Sequence, residues 1–93
     1  MARQFNNKDI DPSFIPISKF KYNGYGFILN KVENGISPIY LQVFDTSKKK
    51  QIHGLNVNKM SRIEDYYNQS IAISKYIGED LDGFKKAVKA NKV

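Results

Sequence analysis

Residues 24–57 constrain what this chain can fold into more than any other part. They read Gly-Tyr-Gly-Phe-Ile-Leu-Asn-Lys-Val, then Glu-Asn-Gly, then Ile-Ser-Pro-Ile-Tyr-Leu-Gln-Val-Phe-Asp, a lysine-rich turn, and Gln-Ile-His-Gly-Leu-Asn-Val. Three runs rich in β-branched and aromatic residues, separated by two turn signals, predict an antiparallel three-stranded meander. Alternation assigns the faces. Tyr25, Phe27 and Leu29 share one side of the first strand, with Gly26, Ile28 and Val32 on the other. Ile39, Leu41 and Val43 share one side of the second strand, and Tyr40, Gln42 and Phe44 the other. Bulk on both sides is what a sheet carries when it curls into a small barrel or is covered twice.

The flanks complete the pattern. Pro16 holds Ile15 extended, so a short edge strand is expected over residues 15–22, closed by an Asn23-Gly24 turn. Pro38 delays pairing of the next strand to about Ile39. Beyond the sheet, Ser61 and Glu64 stand at the spacing of a capping box. Ile63, Tyr66, Tyr67, Ser70, Ile73, Ser74 and Ile77 then recur every three or four residues, which predicts one helix over residues 62–77 that stops at Gly78. Glu79-Asp80 starts a second, short helix over about residues 80–90, with Leu81, Phe84 and Val88 as its apolar stripe.

The expected fold is therefore α+β. A small antiparallel meander, or an SH3-like partly open barrel of three or four strands over residues 15–57, packs with one long helix and one short C-terminal helix. Leu29, Ile39, Leu41, Val43, Ile52, Ile63, Ile73 and Ile77 are the expected core. Residues 1–12, polar and without period, read as a flexible arm, and residues 13–93 as a single domain.

A chain of 93 residues holds one domain. It has no cysteine, so disulfides, thiolate metal sites and cysteine nucleophiles are excluded. No apolar run reaches the ~18 to 20 residues of a bilayer span, and the first residues lack the apolar core of a signal peptide. The expectation is a cytoplasmic protein with no membrane partner. Lys and Arg outnumber Asp and Glu by 15 to 9, a formal charge of +6 that favours acidic partners.

Reactive chemistry finds no foothold. His53 is the sole histidine, and neither a nucleophile elbow nor a fixed carboxylate partner accompanies it. Glu79, Asp80 and Asp82 lack the alternation and distal glutamate of a calcium loop and suit a helix start better. Gly24-Tyr-Gly26 lacks the third glycine and the following helix of a dinucleotide fingerprint. No enzyme, metal or cofactor is expected.

Basic residues interleaved with rings are the strongest functional signal. Lys19-Phe-Lys-Tyr22, followed by Tyr25, Phe27 and Lys31, would suit base stacking beside neutralised phosphates if rings and ammonium groups shared one surface. The alternative is that the rings are core and the lysines cover its rim with their alkyl stems. Lys48, Lys49 and Lys50 form a second basic cluster in the turn before the last strand.

Pro38-Ile-Tyr-Leu-Gln-Val-Phe44 and Gln51-Ile-His-Gly-Leu-Asn-Val-Asn58 together resemble a segment of small proteins encoded by tailed phages. The resemblance covers residues 38–58. It implies a phage or mobile-element origin, a virion or DNA-end-associated role and an SH3-like sheet, with residence in the host cytoplasm or the virion, and it transfers no site residue. The leading expectation is thus a non-enzymatic binding protein that docks on a larger protein, a virion component or a host factor, through Tyr40, Phe44, Tyr25 and Tyr67. The alternative is a nucleic-acid-binding module that uses Lys19, Lys21, Lys31, Lys48, Lys49 and Lys50.

Overall fold

The structure, a computed structural model, describes residues 13–35 and 37–93. The chain runs as β1 (Ser13–Tyr22), β2 (Tyr25–Glu33), β3 (Ile39–Asp45) and β4 (Lys50–Val57), a 3-10 turn (Met60–Arg62), then α1 (Ile63–Gln69), α2 (Ile71–Ile77) and α3 (Leu81–Ala90). The four strands pair antiparallel in chain order, so the fold is α+β and its sheet a meander. The expected arm, residues 1–12, lies outside the described residues.

Local chemistry sets the joints. Asn23 and Gly24 both take positive φ, 52° and 82°, the geometry of the tight two-residue hairpin that their side chains tolerate. The Asn23 amide also donates to the Tyr76 carbonyl at 3.1 Å and so ties the hairpin tip to the end of α2. Pro16 cannot donate to a ladder, and β1 bulges between Pro16 and Ser18. Past this bulge Ser18 turns inward, fully buried, and its Oγ donates to the Val88 carbonyl at 2.8 Å. Residues 91–93 run along the outer edge of β1 through the bonds Lys19 N–H to Asn91 O and Val93 N–H to Ile17 O.

All three helices lie on one side of the sheet. Phe27, Leu29, Leu41, Val43 and Val57 meet Ile63, Ile73, Ile77, Phe84 and Val88 in a single core. Phe84 is fully buried, its ring 5.0 Å from Phe27, 5.6 Å from Phe20 and 5.6 Å from Tyr22. Asp80 starts α3 as expected, accepting from the Gly83 amide at 2.8 Å, and its carbonyl accepts from the Tyr22 hydroxyl. Partial burial, with the Asp80 carboxylate nearby, pushes the Tyr22 phenol above its ordinary pKa.

Four expectations are corrected. Of the two sheet forms expected, the meander is found, open with β1 and β4 as its edges, and not the SH3-like partly open barrel. The single long helix is two seven-residue helices, because Ser70 is extended (φ −122°, ψ 112°) and its side chain accepts from the Ile73 amide. A serine bonded to a nearby amide competes with the helical backbone and restarts the helix instead of continuing it. The capping box does not form: Ser61 lies exposed in the 3-10 turn, α1 has no side-chain cap, and Glu64 is instead paired with Lys85 of α3. Ile52 is 38% exposed, because the β3–β4 register slips between Val43 and Phe44 and leaves Ile52 as the extra residue of a bulge. His53 takes the place opposite Val43 and packs its ring 5.6 Å from Tyr76. The other expected core positions are buried, except Ile39, which is half-buried.

In urea denaturation, Leu41→Ala should cost ~2 to 5 kcal/mol, since its fully buried side chain sits mid-sheet. Ser70→Ala should cost ~0.5 to 2 kcal/mol as the loss of a cap. Ser61→Ala should stay within ~0.5 kcal/mol, as an exposed position does. A larger loss at Ser61 than at Ser70 would restore the single capped helix.

Candidate functional site

Strand alternation sends the residues between the core positions to the other face, and among the described residues no helix or loop packs there. Bulk on that face does not signal a second covering layer. It lines a surface that the described residues leave open, with Ile28, Tyr40, Gln42 and Phe44 half-buried in it.

At one end of this surface lies a shallow, mainly apolar groove of about 500 Å3, whose lining includes Lys19, Lys21, Ile28, Phe44, Asp45 and Lys49. Gly26 stands opposite Phe44 in the register, so no side chain fills the floor beside that ring. Lys49 reaches the rim because its turn is clamped: the Asp45 carboxylate accepts from the Ser47 hydroxyl at 2.6 Å, the Ser47 amide at 3.0 Å and the Lys48 amide at 3.3 Å. Those donors, the Ser47 hydroxyl first, hold the Asp45 carboxyl below the usual carboxylate range.

Beyond the groove a row of amides crosses three strands. Asn30 Nδ2 donates to Gln42 Oε1 at 2.8 Å, Gln42 Nε2 to Gln51 Oε1 at 3.0 Å, and Gln51 Nε2 to the Tyr40 hydroxyl at 3.1 Å. Tyr40 stacks on Phe14, with ring centroids 5.1 Å apart and planes within 15°. Gly54 permits this arrangement, because a Cβ there would collide with the Tyr40 hydroxyl.

Charge is segregated between the two sides. The described carboxylates are Glu33, Asp45, Glu64, Asp65, Glu79, Asp80 and Asp82, and strand alternation places none on the open face. Five of them lie in the helical layer or at its turns, where Asp65 pairs with Arg62 and Glu64 with Lys85. Asp45 is the one described carboxylate that lines the groove; it is held by its own turn, and none of Lys19, Lys21 and Lys49 is within ion-pair distance of it.

The candidate residues divide accordingly. Tyr40 and Phe44 lie on the open face, while Tyr25 and Tyr67 belong to the helix side. Tyr25 packs edge-on against Tyr76 at 5.0 Å, and Tyr67 donates its hydroxyl to the Gly78 carbonyl at 2.8 Å. Lys19, Lys21 and Lys49 share the groove. Lys31 points to the opposite side of the sheet, with Leu29. Lys48 and Lys50 are exposed but do not line the groove. In Lys19-Phe-Lys-Tyr22 the lysines face out and the rings face in, so the rings expected beside them, Tyr25 and Phe27 included, are core or packed on it. Phe44, brought from two strands away, is the ring that the lysines meet.

A second cleft, of about 490 Å3, opens between the sheet and α3, lined by Leu29, Ile39, Met60 and Val88 with Lys85, Lys89 and Lys92 at its rim. Lys85 there is already neutralised by Glu64. Among the described residues no three histidine, cysteine or acidic side chains gather as metal ligands, and no helix is long and apolar enough to cross a membrane. Comparison with protein-family models, with curated proteins and with solved structures finds no significant match.

The Asp45 clamp carries a pH signature. A carboxyl whose pKa is lowered by folding adds stability above its unfolded value and loses it as pH falls through the folded one. The melting temperature of the wild type should exceed that of Asp45→Ala at pH 7. The gap should begin to narrow near 3.8 and close below the lowered folded value. A gap that stays constant through this range would show that the carboxylate does not hold the turn.

Proposed function

We propose that this chain is a non-enzymatic binding module that docks on an acidic macromolecular partner through its open sheet face. The observation that carries the reading is the coincidence of an apolar groove with Lys19, Lys21 and Lys49, three lysines against one described carboxylate, Asp45, which is bonded into its own turn. A cation bonded to a neighbouring acid has little left for a partner, whereas three such ammonium groups on one face sum their fields. Tyr40 and Phe44 add ring area there at low entropy cost. His53, the lone imidazole, packs against Tyr76 on the other side of the sheet, away from the groove, which supports a binding role over a catalytic one. The likeness of residues 38–58 to small tailed-phage proteins supports a phage or mobile-element setting, in the host cytoplasm or a virion. The partner is then a virion component, a host factor or the nucleic acid itself.

Retention on immobilised heparin, a generic polyanion, tests the face. Lys19→Glu with Lys21→Glu should elute at clearly lower salt than the wild type. The same charge change made on the helices, Lys75→Glu with Lys86→Glu, should shift elution much less. Equal shifts would tie the grip to net charge alone and remove the sheet face as the docking surface.

A further inference from the structure

We infer that the occupant of the open face is a single-stranded nucleic acid, an inference that rests on that face being the docking surface. A single strand offers flat rings with polar edges on a backbone that carries one negative charge per nucleotide. Its complement is a set of exposed ring faces, amides between them and cations along one rim. Phe44 supplies one ring. The Phe14–Tyr40 stack supplies the other, with half of Phe14 exposed. Tyr40 and Phe44 are four residues apart on β3, hence roughly 13 to 14 Å along the strand.

Between the two rings lies the row Asn30, Gln42 and Gln51. Each member is oriented by a bond to the next, and Gln51 is exposed. Asn30 is buried and serves to orient Gln42, while Gln42 and the exposed Gln51, held in this way, present donors and acceptors to base edges with little reorganisation. Lys19, Lys21 and Lys49 stand at the Phe44 end, where a backbone crossing the groove places its phosphates.

The same features disfavour the other occupants. A duplex keeps its ring faces stacked inside and gives Phe44 and Phe14 nothing to lie against. The open face carries no arginine among its described residues, so it lacks the bidentate guanine reader of major-groove recognition. An acidic protein would meet the same lysines, yet its carboxylates do not match the half-buried Phe44 ring and the exposed Phe14 ring joined by a row of amides. Binding is thus tolerant of sequence and selective for unpaired strands.

The test is fluorescence anisotropy of the full chain with a labelled twelve-residue oligo-dT, the matching duplex, and labelled poly-glutamate, each across a range of salt. The oligo-dT should bind, with a log–log salt slope of about −0.7 per phosphate contact. Each of Lys19→Gln, Lys21→Gln and Lys49→Gln should flatten that slope by about 0.7. Phe44→Ala should weaken oligo-dT binding roughly 5- to 150-fold and leave the slope unchanged, because stacking releases no counterion. Phe44→Leu, which keeps apolar bulk but loses the flat ring, should lose nearly as much, and circular dichroism melting checks that both variants fold. Duplex binding as tight as that of oligo-dT, or full affinity in a folded Phe44→Leu, overturns the single-strand inference. Poly-glutamate bound through the three lysines with no oligo-dT bound overturns it too, but leaves the docking face standing. No binding of any probe at low salt overturns both.

Discussion

Phe84 is the contact on which the two layers depend. Its ring is enclosed by Phe20, Tyr22 and Phe27, and around it every tie between α3 and the edge strand converges: the Tyr22 hydroxyl on the Asp80 carbonyl, the Ser18 hydroxyl on the Val88 carbonyl, and residues 91–93 along β1. An aromatic side chain buries a large apolar area, and edge-to-face rings add to it. With α3 fixed in this way, α1 and α2 contribute Ile63, Ile73 and Ile77 to the same side. The helical layer is then spent. Helices of seven and ten residues offer one apolar stripe each, and all three stripes face the sheet from one direction.

The open face, uncovered among the described residues, follows from that one-sidedness. A sheet face without a covering layer has to be compatible with water, and a large plain apolar patch on it would invite association. This chain meets the requirement with lysines at the groove and a bonded row of amides in the middle, and it keeps its few rings paired or set against them. Asn30 shows how tightly the row is built, being 1% exposed on a face that no described element covers and satisfied by Gln42 and the Tyr40 carbonyl. Five of the seven described carboxylates went to the helical side, where Asp80 caps α3 and Asp65 and Glu64 pair with Arg62 and Lys85. The polarity that makes the open side compatible with water includes the lysines that give that side its sign.

Much of this was legible in the residues. Period-two alternation sorted Phe27, Leu29, Leu41 and Val43 from Ile28, Tyr40, Gln42 and Phe44 correctly, and Asn23-Gly24 and Asp80 marked a turn and a cap by local chemistry alone. Which of the two sorted faces would be covered was not legible, because it depends on where the helices dock. The breaks were missed for a related reason. Ser70 sits on an unbroken three-and-four spacing, so periodicity alone could not register that its side chain caps a new helix. Ser61 and Glu64 had the right spacing, but Lys85 is 21 residues further on in sequence and claims the glutamate only once α3 has folded back. Tyr25 and Tyr67 were drawn into the candidate site because ring type says nothing about side, and their partners, Tyr76 and Gly78, come from the helical segment.

The bulge at Ile52 joins the fold to the surface most directly. Without the extra residue, the register that pairs Gln42 with Gly54 and Val43 with His53 would run on to set Ile52 opposite Phe44. The open face would then carry two large apolar side chains in contact, and the amide row would end at Gln42. With the slip, Gln51 comes opposite Phe44, bonds to Gln42 and reaches the Tyr40 hydroxyl. Because a one-residue shift exchanges the faces of everything beyond it, a single bulge turns the end of the sheet from an apolar patch into a ring bordered by amides. His53 lies on the regular side of the slip, opposite Val43, so its ring faces Tyr76 with or without the bulge, and the slip acts on Ile52 and Gln51.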